Sequence, residues 1–231
     1  MELRYTSNRS YFLYNKPAKV LCWIAVFFFC VALVTLFFAS AICLSCVIFG
    51  VSFYLLGEEL GVHEEVLEEQ TLAESERLGV ELEERYWDVA RPFPRMVVKV
   101  IGDYETEGEG VLVRRSKTLG RFISSRYHVA AIGLKDQRLY YSERDFSLIE
   151  ENKCIERGGE RDFTDLDRAD YGSVEDAAIP HSEFALFGRD GEEILRVPAQ
   201  SDYSIQRYTD DLNAVLAHAR EKRNDDHAGE A

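Results

Sequence analysis

Between Val20 and Leu56 the sequence has no Asp, Glu, Lys, Arg or His. An uncharged apolar run of 37 residues is too long and too greasy for a water-facing helix, and it predicts a segment buried in a bilayer. At about 1.5 Å per residue a single helix of that length would reach roughly 55 Å. Fitting it across about 30 Å of hydrocarbon needs a tilt near 57°, beyond the roughly 0–40° that membrane helices adopt. The reading preferred here is therefore a hairpin of two short spans, Ala18–Phe38 and Ala41–Leu56. Its turn falls at Ala39-Ser40-Ala41, the run's only stretch of consecutive small residues. The alternative is one span whose helix continues beyond the membrane. A cleavable leader fits less well, because the apolar stretch before Ala39-Ser40-Ala41 is too long and apolar sequence resumes after it.

Other scarcities narrow the function. Cys154 is the sole cysteine outside the apolar run, which excludes an internal disulfide framework in the polar part. Cys43-x-x-Cys46 lies inside the run with no second ligand pair, so it reads as apolar packing rather than a metal or redox site. Gly-rich phosphate loops, H-E-x-x-H and G-x-S-x-G are missing, as is any ligand spacing among His128, His181 and His218. The sequence thus nominates no catalytic residue, metal site or cofactor. The formal net charge is −14, and no basic footprint for nucleic acid is apparent.

The charge is unevenly spread: +3 over residues 1–57, −9 over 58–91 and −8 over 92–231. Arg4, Arg9, Lys16 and Lys19 precede the apolar run against the single acid Glu2. By the positive-inside rule the N-terminus is cytoplasmic. A hairpin returns the C-terminal part to the cytoplasm, whereas a single span puts it outside. Trp23 and Tyr54 suit the membrane interface in either case.

Five segments follow: a basic segment 1–17, the transmembrane hairpin 18–56, an acidic linker helix 57–94, a domain 95–223 and a disordered tail 224–231. The linker is rich in Glu and Leu and ends at Arg91-Pro92-Phe93-Pro94, where two prolines impose extended chain. Its periodicity is only partial. It reads as a solvated spacer, or as a surface for a partner or for self-association through 58–90. Beyond Pro94 short strands are expected: Met96–Ile101, Gly110–Arg114 paired to it across Asp103–Glu109, Arg126–Ile132, Arg138–Tyr141, Phe146–Ile149 and Asp162–Ala169. A last hairpin joins Glu183–Phe187 to Glu193–Val197 through Gly188-Arg189-Asp190-Gly191. A helix over Tyr203–Arg223 carries Ile205, Tyr208, Leu212, Val215, Leu216 and Ala219 on one face.

This order of short antiparallel strands and one closing amphipathic helix, with Tyr127–Tyr141 and Arg161-Asp162-Phe163-Thr164-Asp165-Leu166 within it, resembles the bacterial membrane-anchored pleckstrin-homology-like domain proteins. The resemblance implies an α+β chain whose domain is an antiparallel β-sandwich or barrel capped by a C-terminal helix. It also implies an integral protein of the cell membrane acting as a non-enzymatic binding or scaffold module, presenting a cytoplasmic surface to a protein partner or anionic lipid. A single-span protein with an extracytoplasmic sensing domain, and a membrane enzyme or transport accessory, are the alternatives. The loop that carries basic residues in phosphoinositide-binding relatives is acidic here, Asp103–Glu109. The candidate lipid-binding residues are instead Arg114, Arg115, Lys117, Arg121 and Arg126, in a stretch with no acid over 110–134. Asp162, Asp165, Asp167 and Asp170 read as an ion-pair surface with Arg161 and Arg168 rather than a cation site.

Overall fold

The computed structural model describes residues 3–13, 17–35, 40–60, 64–86, 96–116 and 119–228. The chain is α+β, with antiparallel sheets and helices at both ends. Three helices precede the strands' own support: α1 (Tyr5–Leu13), α2 (Pro17–Thr35) and α3 (Ser40–Leu60). The apolar run is thus two helices rather than one. Phe28 stacks on Phe49 and Phe53 at 5.7 and 5.8 Å, and Gly50 leaves room for the Phe29 ring. Helices joined by so short a connection can lie side by side only antiparallel. The connection itself, residues 36–39, lies outside the described residues, and most of the expected Ala39-Ser40-Ala41 turn lies there with it. Among the described residues no helix is long and apolar enough to cross a membrane. The side chains described within the run are those of 20–34 and 44–57, each short of the roughly 20 residues a span needs.

The helix α4 (Glu64–Arg85) departs most from expectation. It is no solvated spacer. Leu67, Leu78 and Leu82 are at most 1% exposed, packed with Val129, Ala131, Tyr127 and Phe146 of the sheet beneath. Gly79 is a point of close approach to the sheet: a Cβ there would meet Val100 at 2.9 Å. The helix accepts a glycine costing about 1 kcal/mol in propensity and in exchange seats against Val98 and Val100. The proline segment after α4 lies outside the described residues.

The sheet that α4 covers runs β1-β4-β5-β6, with β1 (Val97–Tyr104), β4 (Arg126–Lys135), β5 (Arg138–Ser147) and β6 (Cys154–Asp162). The expected β1 hairpin with Gly110–Arg114 is not formed. β1 pairs β4, from Val97 opposite Leu134 to Tyr104 opposite Tyr127. The intervening chain forms its own small hairpin of β2 (Val113–Arg115) and β3 (Phe122–Ser124). The Phe146–Ile149 strand is instead the end of β5, and β6 had no counterpart among the expected strands. The expected strand Asp162–Ala169 is broken by a short 3-10 turn, Phe163–Asp165, so Asp165 and Asp167 do not share one strand.

A second sheet holds β7 (Leu166–Val174), β8 (His181–Gly188) and β9 (Glu193–Ala199), with the expected turn between β8 and β9 and Gly191 at φ +79°. The helix α5 runs Tyr203–Ala228, five residues past its expected end; residues 229–231 lie outside the described residues. Ile205, Leu212 and Leu216 of α5 close a core with Ile101, Ile132 and Leu139 of the first sheet and Phe184, Leu186 and Val197 of the second. Alternation along β1, β4 and β5 feeds two cores, one on either face of the first sheet.

Candidate functional site

The N-terminal helix meets the domain. The amide of Asn8 donates to Gln70 Oε1 at 2.8 Å, and the Arg4 N–H donates to the same oxygen at 3.2 Å. The Tyr11 hydroxyl donates to Glu64 Oε1 at 2.9 Å, while Ser116 Oγ donates to Glu64 Oε2 at 2.5 Å. The Arg114 guanidinium donates to the Tyr11 carbonyl and lies 4.9 Å from the centre of its ring. Burial, with Glu64 alongside, pushes the Tyr11 phenol well above its usual pKa and keeps it a donor. Tyr11 meets the start of α4 and Asn8 its next turns, so α1 runs antiparallel to α4. Residues from before the apolar run and from after it therefore touch at one place.

Two arginines fasten α4 to the strands. Arg121 bridges Glu68 of α4 and Asp103 of β1, the latter at 2.8 Å, and lies over the Tyr104 ring. Burial pushes Asp103 above the usual carboxylate range, opposed by Arg121. Arg144 of β5, whose side chain is 6% exposed, reaches Glu81 of α4 at 2.5 Å and Glu156 of β6 at 3.0 Å. Its Nη1 is 3.8 Å from Glu74, itself 8% exposed.

A groove of about 520 Å³ lies where the ends of the two sheets meet, lined by Asp103, Arg121, Phe122, His181, Ser182 and Ser201 among others. His181 spends both ring nitrogens there: Nδ1 is 3.0 Å from the Ile179 carbonyl and Nε2 is 3.1 Å from Glu183 Oε1. Burial alone lowers an imidazole's pKa, but these two acceptors outweigh it and the net shift is upward. A ring so committed offers no nitrogen to activate Ser182. His128 lies between Glu105 and Glu143, at 3.6 and 3.5 Å. Among the described residues no group of three or more His, Cys, Asp or Glu is placed to hold a metal.

The five residues nominated for lipid are dispersed. Arg114 is turned to α1 and Arg121 to α4. Arg126 pairs with Glu105 at 3.4 Å and lies 3.8 Å from Asp145. Arg115 is exposed on β2, and Lys117 lies outside the described residues. The acids that neutralise Arg121 come from β1 and α4, remote in sequence, so the acid-free stretch gave no sign of them. The aspartates near Arg168 do form an ion-paired surface: Arg168 reaches Asp167 and Asp170, and Arg220 of α5 also reaches Asp167.

No protein-family model, curated protein or solved structure matches this chain.

Proposed function

We propose that this chain is a non-enzymatic, membrane-anchored binding module. In this reading α2 and α3 form a hairpin anchor within the bilayer, and the domain stands on the same side as both chain ends. The docking of α1 against α4 and β2 carries the proposal. Chain that precedes the apolar run is hydrogen-bonded to chain that follows it, which requires an even number of crossings. The outward faces of α2 and α3 add support. Trp23 is 74% exposed and Leu33 70%, with Phe27, Ile48 and Leu55 also open, an apolar surface that water disfavours and lipid accepts. The basic flank of Arg4, Arg9, Lys16 and Lys19 then makes the shared side the cytoplasm.

We read the domain as pleckstrin-homology-like; its four-strand antiparallel sheet with the β2–β3 hairpin inserted after β1, its three-strand sheet and its closing helix support that reading, with α4 added over the first sheet. A protein partner suits its surface better than anionic lipid, because Arg121 and Arg126 are already matched by acids. Alkaline carbonate extraction of native membranes tests the anchor. The full chain is expected to stay with the membrane, and a chain lacking residues 17–60 to leave it. Release of the full chain into the supernatant would sink the reading.

A further inference from the structure

The free edge of β6 has charges sorted by face. Side chains alternate along a strand, so Glu156, Glu160 and Asp162 share one side of the sheet and Arg157 and Arg161 the other. The acidic side is the one that α4 covers nearby, since Glu156 meets Arg85 of α4 at 2.9 Å. Neither side of β6 is buried at any position, and among the described residues β6 ends the sheet with β5 as its hydrogen-bonded neighbour. The neighbouring strand is complementary on both sides. Against the acids β5 sets Arg144 opposite Glu156 and Arg138 opposite Asp162; against the bases it sets Glu143 opposite Arg157. The ion pairs follow: Arg138 to Asp162 at 2.8 Å and to Glu160 at 3.1 Å, and Arg157 to Glu143 at 3.7 Å.

A second copy of this chain cannot continue that alternation. The two-fold axis relating two antiparallel edge strands stands perpendicular to the sheet, so each face of one strand meets the same face of the other. Along 154–162 an acid could then oppose only an acid or an uncharged residue, and a base only a base or an uncharged residue, in whichever register the strands adopt. Centred on Gly158, Glu156 faces the partner's Glu160; centred on Gly159, Arg157 faces the partner's Arg161.

We propose that the β6 edge is a docking edge for an extended segment of another protein, one with basic side chains on the α4 side and acidic side chains on the other. The same charges exclude a second copy, which matters for a chain concentrated in the plane of a membrane. This deepens the binding-module reading by naming the chemistry of the partner, and it does not depend on where α2 and α3 lie.

Hydrogen exchange of the β6 amides in the full chain, held in mild detergent, tests it. Two probe peptides of about ten residues, ordinary strand length, have equal composition. One alternates Lys and Glu singly and can sort its charges by face; the other alternates them in pairs and cannot. The single alternation is expected to slow exchange over residues 154–162 by about threefold or more, and the paired peptide to leave it unchanged. The double variant E160R/R161E, which mixes the faces, is expected to lose the discrimination. Equal effects from both peptides, or no effect from either, would overturn the proposal. So would protection of β6 that grows with protein concentration alone.

Discussion

His181 has an acceptor at each ring nitrogen, an arrangement that only the protonated imidazolium satisfies in full. The groups facing it are Glu183 of its own strand, Arg196 of β9 through that carboxylate, and Glu107 from the loop after β1. Its folded pKa is raised above the ordinary 6.5, so its stabilisation is complete below pH 6.5 and is lost as pH rises through the elevated value. Denaturant midpoints measured across this range should fall with rising pH in the natural chain, and H181Q should flatten that fall. A slope unchanged in H181Q would mean that another group titrates. The sequence showed His181 only as an isolated histidine. Its partners are a carboxylate two residues on, which shares its face of β8, and a backbone carbonyl two residues back, which meets the ring only through the turn before β8. The acidic partners of Arg121 and Arg126 are hidden in the sequence for a related reason. A basic stretch reads as free charge until strand pairing brings in Asp103 and Glu105, and helix docking Glu68.

At the scale of elements, α4 explains what periodicity can hide. Its buried face is regular, Leu67, Gln70, Thr71, Glu74, Ser75, Leu78 and Leu82, yet four of those seven positions are polar. An apolar pattern search finds only the ends of such a stripe, and the glutamates around it look like solvated helix. What holds the polar middle is Arg144 from a strand some sixty residues on, whose partners Glu74 and Glu81 lie on α4. Removing it leaves Glu74 only Arg77, at 2.6 Å and itself half exposed, and takes from Glu81 and Glu156 the cation they share. R144A should therefore lower the unfolding free energy by about 1–3 kcal/mol. Arg85, half exposed in its pair with Glu156, should cost under about 1 kcal/mol as R85A. Chemical denaturation of the two variants side by side separates a clamp from a surface pair; equal losses would contradict it. The strand β6 was illegible for a different reason. With both faces open it needs no apolar residue, and Gly158-Gly159 among charges resembles a loop. The β8–β9 hairpin and α5, by contrast, were plain, because a Gly-containing turn and a helical stripe facing one core leave their mark directly in the residue order.

For the whole molecule, the sequence left open whether the apolar run is one helix or two, since a charge-free run fixes composition and not path. Contacts between chain ends carry that information. Asn8, Tyr11 and Arg114 tie the first helix to α4 and β2, and Arg121 and Arg144 tie α4 to both edges of the first sheet's core. The helix α4 is thus fastened to the first sheet rather than standing apart from it. The central claim is that both ends of the chain share one side of the membrane. Paired reporter fusions at the N-terminus and at the C-terminus, each active on only one side, test it most directly. Both ends are predicted to report the cytoplasm. An N-terminus inside with a C-terminus outside would contradict the account.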